Sequence, residues 1–83
     1  MTQTIFVDAN RYASAKELHL ALKMMLELPE YYGCNADALY DCLSERRGTT
    51  HLVILSPGEG ETADALKKCC GVIEDLGGDV IER

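Results

Sequence analysis

The chain has 83 residues, room for a single domain spanning 1–83. It is 47% hydrophobic and 27% charged, ordinary for a folded globular protein. A domain near this size buries only roughly 60–65% of its unfolded surface, which argues against a deep catalytic cavity and hence against most enzymes. Eight basic residues against fourteen acidic ones leave −6, a balance that repels phosphate backbones and anionic lipid and argues against direct nucleic-acid binding.

The first four residues, Met1 to Thr4, form neither a basic nor an apolar leader, and no run approaches the roughly 18 apolar residues of a membrane span. The expectation is a cytoplasmic protein without membrane contact, its four cysteines (Cys34, Cys42, Cys69, Cys70) reduced. Thr4-Ile5-Phe6-Val7 reads as a strand, and Asp8-Ala9-Asn10 supplies turn residues. Ser14 and Glu17 have the spacing of a capping box. Leu18, Ala21, Leu22, Met25 and Leu26 then recur at helical intervals, so a helix is predicted over 14–27, with Pro29 as its stop. A loop from Glu30 to Cys34 follows.

Asn35 is a suitable N-cap for a short helix reaching Ser44, with Ala36, Leu39, Cys42 and Leu43 turned to the core and Asp37, Tyr40, Asp41 and Ser44 on the other face. Arg46-Arg47-Gly48 closes it. His51 to Leu55 reads as a strand buried on both faces, and Ser56 to Glu61 as a turn. Leu66, Cys69, Cys70, Ile73 and Leu76 mark a third helix over 62–76 that ends at Gly77-Gly78, and Val80-Ile81 is a brief last strand. The order β, α, α, β, α, β predicts an α/β fold: a three-stranded parallel sheet covered by three or four helices.

Charge is unevenly placed along these elements. Residues 24–45 hold five acids (Glu27, Glu30, Asp37, Asp41, Glu45) and no base, together with Tyr31, Tyr32 and Tyr40. Acid mixed with aromatics suits a surface for a basic partner. Asp37 and Asp41 lie at i and i+4 on one helix face, where like charges oppose each other by about 0.2–0.5 kcal/mol. Asp41 also lies towards the helix C-terminus, where the macrodipole disfavours an anion. A locally costly placement of this kind points to function, and Tyr40 beside it offers an anchor for an interface.

Other candidates carry less. Gly58 and Gly60 sit in a strand-to-helix turn that could cradle phosphate, but Glu59 and Glu61 would repel it. Cys69-Cys70 beside Lys67 and Lys68 lacks the spacing of a redox motif, and His19 and His51 lack the pairing of a zinc site; Cys42, Cys69 and Cys70 read as small core residues. No metal, cofactor or catalytic residue is expected.

From Leu28 to Leu43 the chain reads Leu-Pro-Glu-Tyr-Tyr-Gly-x-Asn-x-Asp-Ala-Leu-x-Asp-Cys-Leu, sixteen positions with three left open. This stretch resembles the signature of the barstar family, intracellular bacterial inhibitors of the barnase-type ribonucleases. Weaker similarity extends over most of the chain. The resemblance implies a non-enzymatic inhibitor, a monomer when free, that forms a 1:1 complex with a secreted basic ribonuclease. Its second helix and the preceding loop would plug the active site. Carried over by motif, Asp41 is the main phosphate mimic and Asp37 a second acidic contact. Tyr31 stacks over the active-site histidine, Gly33 admits a close backbone approach, and Asn35 combines capping with contact; Ala38, Tyr40 and Ser44 complete the set. The departures are specific. The family's tryptophan between Leu39 and Asp41 is Tyr40, the acid before Asn35 is Cys34, and an uncharged stretch after the helix is replaced by Glu45-Arg46-Arg47-Gly48. A small helix before the last one is lost, and Val72 stands where the family has an interface glutamate, which Glu74 could replace. These changes leave open a barnase relative, the nuclease domain of another secreted toxin for which this would be the immunity protein, or a non-inhibitory interaction module on the same fold.

Overall fold

Alternation along the first strand decides how the sheet is covered. Ile5 and Val7 are buried while Thr4 and Phe6 between and before them are exposed, so one face meets a core and the other does not. In the computed structural model, which describes residues 2–83, this strand (β1) spans Thr2–Asp8 and a single 3-10 turn, Ala9–Arg11, follows it. The remaining elements are α1 (Ala15–Met25), α2 (Ala36–Ser44), β2 (Thr49–Ser56), α3 (Gly60–Asp75) and β3 (Asp79–Glu82). The sheet is parallel throughout, in the order β1-β2-β3 with β2 central. The α/β architecture expected from the sequence is thus present, with three α-helices.

Both connections step the same way across the sheet, and right-handed crossovers then place all three helices on one face. Ile5, Val7, Leu52 and Ile54 pack there against Leu18, Leu22, Leu39, Leu43, Leu66, Cys69 and Ile73. Each fully buried leucine contributes roughly 1.5–3 kcal/mol from lost apolar exposure. β2 therefore departs from the expectation of a strand covered on both faces: Leu55 is exposed and His51 half-buried. A doubly covered parallel strand needs helices on both sides, and this chain has them on one.

Helix ends are set by local chemistry, in two places differently from the sequence reading. Ser14 Oγ accepts the Glu17 amide at 3.2 Å and starts α1 as expected. The helix stops at Met25, four residues before Pro29. Glu27 adopts a left-handed conformation (φ 53°), its amide bonds the Met24 carbonyl, and the Leu28 amide reaches back to the Lys23 carbonyl at 2.9 Å. That pattern is a Schellman motif, which turns the chain without proline. α3 ends in the same motif with Gly77 at φ 88°, and Gly78 next to it is obligatory, since a Cβ there would lie 2.3 Å from the Thr50 carbonyl. α3 also begins earlier than expected, at Gly60, which leaves only Pro57 to Glu59 between β2 and α3.

Candidate functional site

Between α1 and α2 the chain alternates inward and outward side chains. Leu26, Leu28 and Tyr32 are buried, whereas Glu27, Glu30, Tyr31 and Gly33 are exposed. The Tyr-Tyr pair is thereby divided. Tyr32 reaches the interior, where its hydroxyl lies 2.6 Å from Nδ1 of buried His19 and donates a longer bond, 3.5 Å, to the Asn35 carbonyl. Tyr31 is 77% exposed. Outside, Lys23 pairs with Glu30 at 3.3 Å, and an Arg46 guanidinium nitrogen donates to the Glu27 carbonyl at 2.7 Å. The connection is a strap tied at both ends, to α1 by Tyr32 and Lys23 and to the turn after α2 by Arg46.

Cys34, at φ 54°, makes the final corner before α2. Asn35 Oδ1 then accepts the Ala38 amide at 2.7 Å, and its Nδ2 donates to the Gly33 carbonyl at 3.3 Å, so one side chain caps the helix and holds the strap to it. Gly33 does not have a positive φ; a Cβ there would stand 3.4 Å from the Ala38 Cβ, in ordinary van der Waals contact. Ala38 is half-buried under this corner.

Leu39, Cys42 and Leu43 anchor the inner side of α2. Asp37, Tyr40, Asp41 and Ser44 fall on the outer side, at the i, i+3, i+4 and i+7 positions of one stripe. Tyr40 is 44% exposed. Among the described residues neither Asp37 nor Asp41 has a cationic group within ion-pair distance. Ser44 donates its hydroxyl to the Asp41 carbonyl at 3.0 Å and so closes the last turn. The stripe is a rigid array of uncompensated carboxylates flanked by two outward tyrosines. It has the chemistry to meet cations.

All eight residues singled out from the sequence thus gather on the strap and α2, seven of them exposed and Ala38 beneath. Sequence reasoning missed the two fastenings. His19 carried a signal, since it precedes the buried Leu22 and Leu26 by three and seven residues and so shares their face of the helix. Arg46 carried none, because its acceptor is a backbone carbonyl nineteen residues away.

The competing candidates are structural. Burial pushes the Cys69 thiol up to about 12 and Cys70 up to about 11, the latter aided by Glu74, and Cys42 is raised as well, so none offers a thiolate at neutral pH. Cys69 and Cys42 are buried and Cys70 lies partly buried against the core, close to the small-core-residue reading. His19 has its pKa lowered by burial and is neutral near pH 7. No group of three or more His, Cys, Asp or Glu residues suited to a metal occurs among the described residues, and no helix there is long and apolar enough to cross a membrane. Val72 packs against the core and Glu74 is exposed near Cys70 and Glu82, beside β3; Ile73 and Leu76 are the α3 residues that share a small recess with Leu43 and Ser44 at the end of α2.

Comparison with known proteins agrees with the signature. Residues 2–80 match the family described as Barstar (barnase inhibitor). A Bacillus subtilis (strain 168) protein named "Putative ribonuclease inhibitor YrdF" is 45% identical over 40 residues, a stretch covering 48% of this chain and 44% of that protein. The match thus spans less than half the length of that curated relative. With the family matched from the first described strand to the last, on a parallel three-stranded sheet bearing a capped acidic helix, the chain belongs to the barstar family.

Proposed function

We propose that this protein inhibits a secreted basic ribonuclease by seating α2 and the strap before it in the enzyme's active site, as a 1:1 complex formed in the cytoplasm of the producing cell. The observation that carries the reading is the α2 stripe: Asp37 and Asp41, free of cationic partners, on a helix whose start is fixed by Asn35 and whose approach is fixed by Tyr32. An enzyme that binds RNA presents Arg, Lys and His to phosphates, and carboxylates held in place can occupy those positions without the cost of ordering a flexible segment. Tyr31 and Tyr40 supply the aromatic contacts, and Gly33 leaves room for the partner's backbone.

Arg46 and Arg47 bear on which nuclease is the target. Arg46 donates to the Glu27 carbonyl while staying exposed, and Arg47 is exposed beside it after α2. An exposed cation at this edge favours an enzyme with acid next to its cationic site. That feature favours the second reading, an immunity protein for a different secreted toxin nuclease. Equimolar mixing with a panel of barnase-type ribonucleases and toxin nuclease domains tests both readings: one member should lose RNA cleavage at one equivalent, and a panel left fully active at tenfold excess would refute inhibition.

A further inference from the structure

Where α2 and α3 both end, beside the start of β2, the surface opens into a recess of about 160 Å³. That volume suits a single side chain, since an apolar cavity of roughly 150 Å³ takes up one benzene. Buried Leu43 and Ile73 form its apolar wall. Arg46 and Arg47 are its exposed rim, and neither has a carboxylate within ion-pair distance among the described residues. Ser44 belongs both to the recess and to the α2 stripe, so a partner lying along Asp37 and Asp41 reaches the recess without a gap.

Two features decide what fits there. Thr50 shares the helix side of β2 with Leu52 and Ile54 and is only 8% exposed, yet its hydroxyl makes no hydrogen bond among the described residues. No sealed polar side-chain atom lacks a partner among them, so this hydroxyl opens into the recess that Thr50 lines. Arg46 is the second feature. Its 2.7 Å bond to the Glu27 carbonyl holds one guanidinium nitrogen in place and leaves the other N–H donors for a ligand. A planar guanidinium matches a carboxylate with two parallel bonds. Arginines beside helix C-termini also complement the macrodipoles, which leave roughly half a unit of negative charge at each end. Two full cations exceed that charge, and the dipoles give no role to an unpartnered hydroxyl. Cations over an apolar wall suit an acid on a short hydrocarbon stem, as in glutamate. A phosphate brings no stem to the wall, and the net −6 repels nucleic acid.

We propose that this recess receives a glutamate side chain of the inhibited nuclease, its carboxylate held by Arg46, Arg47 and the Thr50 hydroxyl and its methylenes laid against Leu43 and Ile73. Resting on the α2 reading, this contact adds a charge pair of reversed sense. Along α2 the inhibitor's acids meet the enzyme's cations, and at the end of α2 the inhibitor's cations meet an acid. A reversed pair fixes the register of the complex and rejects nucleases that lack the acid.

Arg47→Glu separates this contact from charge mimicry alone, because the two predict opposite signs. Against a basic enzyme, exchanging a cation for an acid tightens binding if the recess is idle and weakens it if a carboxylate sits there. Inhibition constants are measured for the panel nuclease that the wild-type protein silences at one equivalent. Arg47→Glu should weaken inhibition at least about tenfold, Arg47→Ala less, and Thr50→Val about threefold. With each exposed glutamate of that nuclease changed in turn to lysine, one variant should bind the Arg47→Glu protein better than it binds the wild type. Arg47 is exposed and unbonded among the described residues, so its variants keep the test open if Thr50→Val fails to fold. Unchanged or tighter inhibition by Arg47→Glu, undiminished inhibition by a folded Thr50→Val protein, or the absence of a rescuing glutamate would each overturn the recess contact and leave the α2 reading standing. A wild-type protein that inhibits no nuclease would overturn both.

Discussion

Replacing Tyr32 by phenylalanine removes one oxygen atom from the buried contact that ties the strap to α1. The loss has two parts. The His19 Nδ1 contact at 2.6 Å disappears, with the longer bond to the Asn35 carbonyl, and each such bond is worth roughly 0.5–1.5 kcal/mol net. His19 is 4% exposed, so its Nδ1 is then left without a partner in the interior, at a cost of about 1–3 kcal/mol. These overlap, and the expected destabilisation is about 2–3 kcal/mol, or roughly 8–24 °C in midpoint for a domain of this size. Urea unfolding followed by circular dichroism measures it. A double-mutant cycle with His19→Leu should return a coupling of at least about 1 kcal/mol, because the two side chains are in direct contact. A Tyr32→Phe change below about 0.5 kcal/mol, or a cycle that closes to zero, would refute the view that this pair fastens the strap.

Asn35→Ala should cost about 0.5–2 kcal/mol, read by the same unfolding, while Asn35→Asp should keep most of the cap. Glu27→Gly should stabilise by up to about 1 kcal/mol, since glycine accepts the left-handed conformation that a side chain resists; an unchanged or lower midpoint would count against that strain. Protonation of His19 gives a signed pH dependence. Its folded pKa lies below the ordinary 6.5, so between the two the unfolded chain binds more protons and stability falls as pH drops through and below 6.5. The slope is at most about 1.4 kcal/mol per pH unit for this one group, and His19→Gln should remove that part of it.

Periodicity carried most of the architecture. Leu18 and Leu22 on α1, Leu26 at its C-cap, and Leu66, Cys69 and Ile73 on α3 are buried where helical spacing puts them, and Ile5 and Val7 alternate as a strand facing one core should. What periodicity could not carry was the coverage of the sheet. A short apolar run such as Leu52 to Leu55 reads alike whether one face or two are packed, and only the count and handedness of the crossovers decide it. The end of α1 was misplaced for a related reason: Pro29 is a visible stop, whereas a left-handed glutamate is invisible in a sequence that holds glycine at the equivalent place in α3. In the candidate site, the motif fixed which residues gather on α2, because spacing along one helix is local information. The fastenings that hold it, His19 to Tyr32 and Arg46 to Glu27, join positions thirteen and nineteen residues apart, and tertiary folding alone brings them together.

Asp41→Asn separates charge from shape at the centre of the α2 stripe, and its effect on inhibition tests the account most directly. Titrated against the cognate ribonuclease, the variant should fold with an unchanged midpoint yet bind at least about 30-fold more weakly, corresponding to the roughly 2 kcal/mol of an interface hot spot. That scale is the one known from charge pairs in the barnase and barstar complex itself. Undiminished inhibition by a folded Asp41→Asn protein would contradict the claim that the carboxylates of α2 carry the binding.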